Sequence, residues 1–553
     1  MRAKNQGNGL TVQLVAGTNT VMVAIDMDDT TRRGCLGFAI QRTDHTEDEK
    51  AWMRGQKVFE ATGGGAKSDD ASSRKQPFQA FQWSDFTAKP EHDYTYDVVP
   101  MYGTPGSLRE GTAVSVSVRT EPNDDGMHGV YFNRGACSSQ AYARKFKNRA
   151  PGEVGQDAYD WLSRGLLEGL VEFIERAESS DFTLHGAIYE FQWPEALDAL
   201  RAAKSRGAEI KVIFDAIPGD SHPKKKNVVA VATAKLKQVS IPKTKGTIMH
   251  NKFLVLSRKD KPVAVWTGST NWTENGIFGH SNCGHVIEDA TVAVQYLDYW
   301  TQLSHDDASE VLRNWLDANA ASPPSPWTTD VVAVFSPRND LSVLEWYAKI
   351  VGSAKSALFM TFAFGMNKLF LDYYENDDDV LKYALMEKEG NGKLLAQGKI
   401  DIRRVRARTN VIVAVANELE LNVLDRWVAE RRSLSNESNV KWIHTKYALM
   451  DPLGPEPVVI TGSANFSKAS TDSNDENMLV IRNNKRVAEI YLTEFMRLHS
   501  HYAFREAVAI ARERGEDFET ERAYLSPNDD WQREHYREGS DRWMRRRYFV
   551  GSK

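Results

Sequence analysis

Hydrophobic and polar positions alternate over the first part of the chain, to about residue 120. Residues 21–27 read VMVAIDM, so a strand here is largely apolar on both of its faces. Further short apolar runs, separated by clusters of Gly, Pro, Asp and Ser, occur at 35–40, 78–83, 94–102 and 114–118. Strands at this spacing predict an all-β sandwich.

From about residue 150 the apolar residues follow helical and strand patterns in turn. The first set predicts a helix at 161–177, a strand at 182–191, a helix at 194–206 and a strand at 210–215. The order recurs with a helix at 341–357, a strand at 358–364, a second helix and a strand at 411–416. We therefore expect two α/β units in tandem, the second opening at 330–335 after a Pro-rich connector at 322–327.

Composition and charge limit the number of domains, the class of protein and the cellular compartment that we expect. A chain of 553 residues is long enough for three or four domains. Its formal charge of −5 shows no global basic field, and its three scattered cysteines indicate neither a disulfide framework nor a metal cluster. The first residues lack the apolar run of a secretory signal, and no stretch reaches the roughly 18 apolar residues of a membrane span. We expect a soluble protein of the reducing cytoplasm.

Two basic segments each allow a structural and a functional interpretation. The three lysines at 224–226 are predicted to lie in a loop, either simply solvated or contacting a phosphate backbone. The C-terminal tail is charged and aromatic, with Trp531, Tyr536, Trp543, Tyr548 and three arginines at 545–547. Such residues can stack on bases, but we favour docking of the tail's aromatic side chains on the folded domains.

One short pattern of polar residues occurs twice with the same internal spacing. The first copy is His250-Asn251-Lys252 followed by Gly268-Ser269-Thr270-Asn271, and the second is His444-Thr445-Lys446 followed by Gly462-Ser463-Ala464-Asn465. In both copies the glycine lies 18 residues after the histidine. An edge strand with a satisfied histidine would explain a single copy. Two copies in register indicate one active site assembled from two related halves.

The residue types in this pattern suit attack on a phosphate. Each His-x-Lys opens an apolar run, and residues i and i+2 of a strand point to the same face, so each histidine projects beside its lysine. Lysine neutralises phosphate charge, and histidine acts as nucleophile, general acid or general base near neutral pH. Four further side chains are expected to donate hydrogen bonds to phosphate oxygens: Ser269, Asn271, Ser463 and Asn465.

With these motifs the sequence resembles the phospholipase D superfamily, which carries two H-x-K-x4-D motifs, each with a trailing G-S-x-N. The second copy fits in full, with Asp451 in the aspartate position and Glu476 in the later Asn-x-Glu position. The first copy departs in two places, because Ser257 replaces the aspartate and Gly284 stands in the Asn-x-Glu position after Asn282. The resemblance covers about residues 130 to 510.

The resemblance implies a two-step cleavage of phosphodiesters without a metal or another cofactor. One histidine attacks phosphorus and forms a phosphohistidine, while the other protonates the leaving oxygen and then activates water. In members with two copies, the carboxylate after the second motif supports the histidine of the first, so Glu476 is expected to orient His250. His250 is therefore the expected nucleophile and His444 the general acid and base, with only Gly284 where a matching carboxylate would sit. Asp451 is expected to be a structural hydrogen-bond partner.

The resemblance also implies an arrangement of domains. Residues 1–122 are expected to form the sandwich, in which 94–103 resembles a late strand of fibronectin type III domains. Residues 123–322 and 323–510 are expected to form two phospholipase D-like α/β units about a pseudo-twofold axis, followed by the tail at 511–553. The two histidines then lie on opposite sides of one pocket, as an in-line displacement requires. The sandwich is expected to bind a protein partner or to brace the core.

Three functions are open at the level of sequence. A nuclease acting on nucleic acid is favoured by the basic run at 224–226. A phospholipase D or phosphatidyl transferase acting on phospholipid is the alternative, and Trp272, Ile277 and Phe278 are placed to touch acyl chains. A catalytically weakened binding or adaptor protein is the third, although both copies of the pattern retain histidine and lysine.

Overall fold

The computed structural model describes residues 1–55, 57–62, 72–220, 222–320, 323–324, 327–388, 402–416, 442–515 and 524–552. The strands are β1 Arg2–Gly7, β2 Leu10–Ala16, β3 Val21–Met27, β4 Gly37–Asp44, β5 Glu49–Trp52, β6 Gln82–Asp85, β7 Asp93–Thr104, β8 Ser107–Glu110, β9 Val114–Arg119, β10 His128–Phe132, β11 Phe182–Ile188, β12 Glu209–Asp215, β13 Ser240–Lys243, β14 Lys252–Arg258, β15 Lys261–Gly268, β16 Cys283–Ile287, β17 Val331–Ser336, β18 Ala357–Phe362, β19 Leu381–Met386, β20 Val411–Val415, β21 Tyr447–Met450, β22 Val458–Gly462 and β23 Glu476–Arg482.

The α-helices are α1 Ser139–Lys145, α2 Pro151–Val154, α3 Gln156–Ser163, α4 Leu166–Glu175, α5 Pro194–Ser205, α6 Lys224–Thr233, α7 Ala290–Ser304, α8 Ser309–Asn319, α9 Ser342–Val351, α10 Lys368–Tyr374, α11 Lys468–Asp472, α12 Lys485–Glu513, α13 Arg533–Tyr536 and α14 Asp541–Val550. Short 3-10 helices span Glu60–Thr62, Gly135–Ser138 and Asp529–Gln532, and a π-helical turn spans Asn275–Gly279. Of the helices in these ranges, none combines the length and the apolar character that a bilayer crossing requires.

The N-terminal region consists of two antiparallel sheets. One has the strand order β1-β2-β3-β6, and the other has the order β5-β4-β7-β8 with β9 paired to β7. Strand β9 buries Val114, Val116 and Val118 and exposes the residues between them, which is the alternation of a strand with one face on a core. The fibronectin type III resemblance of 94–103, which lies within β7, stays a prediction.

Strand β3 is apolar on both faces because it separates two cores. Val21, Val23 and Ile25 point into the core of the sandwich. Met22 and Ala24, on the opposite face, belong to the main core that the two α/β units share. The sandwich is therefore packed against the α/β units through a buried apolar surface.

Residues from His128 onward form two α/β units with the same sheet topology. The first sheet has the order β10-β16-β15-β14-β11-β12-β13, and the second has the order β17-β23-β22-β21-β18-β19-β20. Each position in one sheet has its counterpart in the other, with the same sequence of parallel and antiparallel pairs at the centre. The expected fold class, two tandem α/β units after an all-β sandwich, is confirmed.

The two units meet about a pseudo-twofold axis that runs through the repeated motifs. Met249 pairs with Asp475 and Ser281 pairs with Ile443 in two isolated parallel bridges. These bridges interchange under an offset of 194 residues, the same offset that separates His250 from His444. The backbone N–H of each histidine donates across the interface, to Asp475 O at 2.9 Å and to Ser281 O at 3.2 Å.

The C-terminal tail docks on the folded regions, as the sequence favoured. Trp531 and Tyr536 pack against the core of the sandwich, and Phe549 and Val550 enter the main core. The indole N–H of Trp531 donates to Cys35 O at 2.9 Å. The tail thereby ties the sandwich to the second α/β unit.

The structure corrects two predicted elements, and a third prediction lies partly outside the described residues. The helix predicted at 161–177 is two helices, because Arg164 and Gly165 adopt positive φ angles of 53° and 93° between them. The lysines at 224–226 form the first turn of α6 instead of a loop, since Asn227 anchors that turn to the sheet. Parts of the connector at 322–327 lie outside the described residues.

Candidate active site

The two motif histidines lie together at the interface of the α/β units. His250 precedes β14 and His444 precedes β21, which are equivalent strands at the centres of their sheets. Their ring centroids are 6.4 Å apart and the rings are nearly perpendicular. Both side chains are buried, at 9 % and 4 % exposure. One pocket therefore contains both imidazoles, as the repeat predicts.

His250 is held by a carboxylate from the other unit. Its Nδ1 lies 2.9 Å from Glu476 Oε2, and because a carboxylate only accepts, Nδ1–H is the donor. The Nε2 atom is then the unprotonated nitrogen of the neutral ring. Burial lowers the pKa of His250 below its ordinary value, although the neighbouring Glu476 opposes that shift.

His444 is held in the same way, but by an amide. Its Nδ1 lies 2.9 Å from Asn282 Oδ1. Asn282 follows Gly268 by the 14 residues that separate Glu476 from Gly462, so Asn282 is the structural counterpart of Glu476. The assignment of Gly284 to that position is wrong. Gly284 pairs with Gly268, and a Cβ on it would lie 2.3 Å from the Trp266 ring, so packing requires glycine there.

The motif serines hold these acceptor residues in place and do not point at a phosphate. Ser463 Oγ donates to Glu476 Oε2 at 2.6 Å, and Ser269 Oγ donates to Asn282 Oδ1 at 2.8 Å. Each hydroxyl also accepts a backbone N–H of the following strand, from Asn477 at 3.0 Å and from Cys283 at 3.1 Å. The predicted role of the serines as phosphate donors is therefore corrected to the positioning of Glu476 and Asn282.

Glycine precedes each motif serine because the strands approach closely there. Gly268 and Gly462 have φ angles of 140° and 156°. A Cβ at either position would lie 2.3 Å from a carbonyl oxygen, that of Cys283 or that of Asn477. The glycine and serine of the G-S-x-N motif thus position the residues that support the histidines.

The motif asparagines differ from each other. Asn271 is fully buried and its Nδ2 donates to Glu190 Oε2 at 2.8 Å, so at least one of its N–H groups is directed to a carboxylate. Asn465 is half-buried, and its backbone N–H donates to Ser470 Oγ at 3.2 Å. A contact of either amide with phosphate stays a prediction.

The two lysines lie beside their histidines and are completely buried. Lys252 Nζ donates to His250 O at 2.6 Å, and Lys446 Nζ donates to His444 O at 2.5 Å. The pKa of His444 is held well below its ordinary value, first by burial and then by the ammonium of Lys446, with His280 adding to the effect. The ring of His280 lies 5.7 Å from that of His444. The site thus combines two buried ammonium groups with two imidazoles of lowered pKa, which suits an anionic phosphate.

Two acidic residues that sequence reasoning missed fix the segments before the histidines. Asp215, at the end of β12, accepts the N–H of Met249 at 3.2 Å, and Glu387, just after β19, accepts that of Ile443 at 2.8 Å. Both are buried and occupy equivalent positions. An acidic residue directly after a buried apolar strand is the signal in the sequence.

The aspartate position of the motif is occupied by different residues in the two copies, Asp451 in the second and Ser257 in the first. Asp451 accepts the backbone N–H groups of Lys355, Ser356 and Ala357 at 2.6–2.9 Å. Ser257 lies in β14 beside a register shift, and its hydroxyl is buried without a partner among the described residues. Neither side chain contacts a catalytic imidazole.

The aromatic and aliphatic residues after the first motif belong to the core. Trp272, Ile277 and Phe278 are at most 1 % exposed. Trp272 packs on Phe191, and Phe278 packs on Trp193. The expectation that these residues touch acyl chains is therefore wrong.

Comparison with known proteins shows similarity over parts of both α/β units. The family described as cardiolipin synthase, PLD-like domain, matches residues 170–303 and 385–499. A mitochondrial cardiolipin hydrolase from Drosophila melanogaster is 25 % identical over 165 residues, which is 26 % of this chain and 64 % of that relative.

Two similar solved structures are less than 25 % identical to this chain. Phosphatidylserine synthase from Haemophilus influenzae is 12 % identical, with a TM-score of 0.41 over 65 % of this chain and 93 % of that one. The phospholipase D family member Nuc from Salmonella typhimurium is 21 % identical, with a TM-score of 0.22 over 30 % of this chain and 91 % of that one.

Proposed function

We propose that this chain, which belongs to the phospholipase D superfamily, is a phosphodiesterase that works through a phosphohistidine. One observation carries the proposal. His250 and His444 lie with ring centroids 6.4 Å apart, and each ring has its Nδ1 bonded to an acceptor from the opposite unit. Each Nε2 is therefore the nitrogen available to a phosphorus between the rings.

In the first step His250 Nε2 attacks phosphorus as the bond to the leaving oxygen breaks. The ring gains positive charge as it forms the N–P bond, and the carboxylate of Glu476 at Nδ1–H stabilises that charge. His444, protonated at Nε2, gives its proton to the leaving oxygen. The attack needs a carboxylate-supported ring, so we assign the nucleophile to His250.

In the second step water attacks the phosphorus of the phosphohistidine and the N–P bond breaks. The neutral His444 takes a proton from that water, which restores its protonated form for the next cycle. Lys252 and Lys446, one on each side, offset the negative charge of the phosphate oxygens throughout. No net proton is gained or lost by the two histidines over the cycle.

Nucleic acid is the substrate class that we propose. The lysines at 224–226 begin α6, which is anchored to the strand ends that surround His250, so they lie at the catalytic edge. The observation that favoured a phospholipid substrate no longer holds, because the side chains expected to touch acyl chains are buried in the core. A binding protein without activity is disfavoured by the intact support of both imidazoles.

For the sandwich we propose the role of a brace. Its strand β3 contributes Met22 and Ala24 to the core of the α/β units, and the tail fastens its other side. A protein partner can still use its outward faces, which are not needed for this packing.

The test is turnover of four substrates by the purified protein in EDTA: single-stranded DNA, duplex DNA, RNA and vesicles containing anionic phospholipid. We expect cleavage of nucleic acid, with loss of that activity when both His250 and His444 are replaced by alanine. Cleavage of phospholipid alone would overturn the substrate assignment. Activity that EDTA abolishes and Mg²⁺ restores would overturn the metal-free mechanism.

A further inference from the structure

Residues 221–259 form a long segment without any acidic side chain. They include no Asp or Glu but ten Lys and Arg residues, in a chain whose totals are 70 basic and 75 acidic residues. Acidic residues outside the segment pair with Lys243 and Lys259, so the net charge of the whole chain says little about the lysines at 224–226. The segment includes α6, β13 and the strand β14 that follows His250.

The helix α6 begins at the same edge of the sheet as the catalytic histidine. The side-chain amide of Asn227 donates to Tyr189 O at 2.8 Å and to Asp215 O at 2.9 Å, which follow or end strands β11 and β12. The ring of Tyr189 lies 5.2 Å from that of His250. The lysines at 224–226 are therefore close to the catalytic pocket, and those at 225 and 226 are exposed.

A groove of about 710 Å³ lies between α5 and α6 and starts beside this edge. Its walls include Gln192, Leu197, Lys225, Lys226 and Val229. Gln192 follows the loop that carries Tyr189, and its amide donates to Asn227 Oδ1 at 3.0 Å. The groove thus continues away from the pocket, with ammonium groups along one rim.

We propose that this groove binds the phosphate backbone of single-stranded nucleic acid as the strand leaves the catalytic pocket, an inference that rests on the proposed function. A flexible strand can follow a concave path, and lysines along a groove offset its phosphate charge. The path lies on the His250 side of the site, so one side of the scissile phosphate is bound by the first unit.

An anionic membrane is the other polyanion that lysines attract, and the observations disfavour it. Helices that lie in a membrane interface bury a strong apolar face with Trp, Phe or Leu. The exposed apolar side chains of α6 are Val228 and Val229, and Asp198 lies in the groove wall. The surface here is a concave groove instead of a protruding apolar face.

The test variant replaces Lys224, Lys225 and Lys226 by glutamine, and its control replaces the exposed Lys50, Lys147 and Lys368. We measure kcat/KM for a single-stranded oligonucleotide and for a small chromogenic phosphodiester at several salt concentrations. The ratio of the two values is expected to fall about tenfold or more. The slope of log kcat/KM against log salt for the oligonucleotide should decrease by about 1.4, the value for single-strand contacts of the two lysines that line the groove. The control should keep both the ratio and the slope.

Three results would overturn the inference. The first is a lysine variant with an unchanged ratio and slope. The second is an equal loss of kcat/KM on the oligonucleotide and on the small diester. The third is a lysine variant that loses only its binding to anionic vesicles. If the protein of natural sequence cleaves no diester at all, the proposed function fails. Binding to the groove is then measured by fluorescence anisotropy of a labelled oligonucleotide. If the lysine variant binds the oligonucleotide as tightly as the natural sequence does, the inference about the groove fails as well.

Discussion

The two halves of the active site share a backbone arrangement but differ in the side chain that supports each histidine. Glu476 and Asn282 follow the same glycine at the same distance, receive a hydrogen bond from the same kind of serine, and accept from the Nδ1 of a histidine at 2.9 Å. One is a carboxylate and the other an amide. A repeated geometry with two different acceptors can thus give two equivalent imidazoles unequal chemistry.

The difference changes which charge each ring can carry. A carboxylate stabilises positive charge on His250, whereas the amide of Asn282 gives His444 no counter-charge. His444 also has His280 beside it, where the equivalent residue near His250 is Asn474. The first half is therefore suited to form a covalent bond to phosphorus, and the second is suited to release a proton readily.

Replacing His250 by alanine should have the largest effect. We expect kcat to fall about 10,000-fold or more on every diester, because no other group on that side of phosphorus can form the covalent bond. Turnover of a small chromogenic diester measures this, with the exposed His45 replaced by alanine as control. A residual rate within about tenfold of the natural sequence contradicts the assignment.

Replacing His444 by alanine should have an effect that depends on the leaving group. For an alkoxide the rate should fall by about 100- to 10,000-fold, the range of general acid catalysis, and for a nitrophenolate it should fall far less. The comparison of the two esters with one enzyme variant is the measurement. Equal losses on both esters would show that His444 does not protonate the leaving oxygen.

Replacing Glu476 by glutamine gives both histidines an uncharged amide as the acceptor of their Nδ1–H. We expect a loss of about 10- to 100-fold that is similar for good and poor leaving groups, since the attack of His250 is weakened. The matched variant is Asn282→Asp, which gives His444 a carboxylate without changing side-chain size. If Glu476→Gln affects only esters with poor leaving groups, Glu476 serves the acid step instead.

The pH dependence should be the smallest and most specific sign of the asymmetry. The pKa of His444 is held well below its ordinary value by burial and by Lys446, with His280, Lys252 and His250 adding to it. The protonated form is lost as pH rises through that lowered pKa, so kcat/KM for alkoxide esters should decline with rising pH already below 6.5. Asn282→Asp should move this limb upward by about one pH unit. An unchanged limb in that variant contradicts the role given to His444.

Much of this arrangement could be predicted from the sequence because it depends on the spacing between residues along the chain. The i, i+2 spacing placed each lysine beside its histidine, the common 18-residue offset predicted two equivalent halves, and the apolar faces of 21–27 predicted a strand buried on both sides. The pairing of Glu476 with His250 came from the resemblance to the phospholipase D superfamily, and the two side chains are in hydrogen-bond contact.

The wrong predictions concern contacts that depend on which strands and side chains are neighbours in the fold. Asn282 was missed because the motif was matched by its letters, whereas the β15–β16 register counts from Gly268. The serines were expected to face phosphate, but the acceptors on the adjacent strand capture their hydroxyl groups. The lysines at 224–226 were expected in a loop, since the anchoring of α6 by Asn227 depends on strand ends far away in sequence.

Mass spectrometry of the acid-labile adduct shows directly whether His250 alone becomes phosphorylated. The enzyme is mixed with a nitrophenyl phosphodiester, quenched under alkaline conditions that preserve phosphohistidine, digested and sequenced by fragmentation. The His444→Ala variant is included, because slower hydrolysis of the intermediate should increase the adduct. We expect the phosphoryl ester on the peptide of His250 in both proteins. An adduct on His444 and none on His250 in the natural sequence would contradict this expectation.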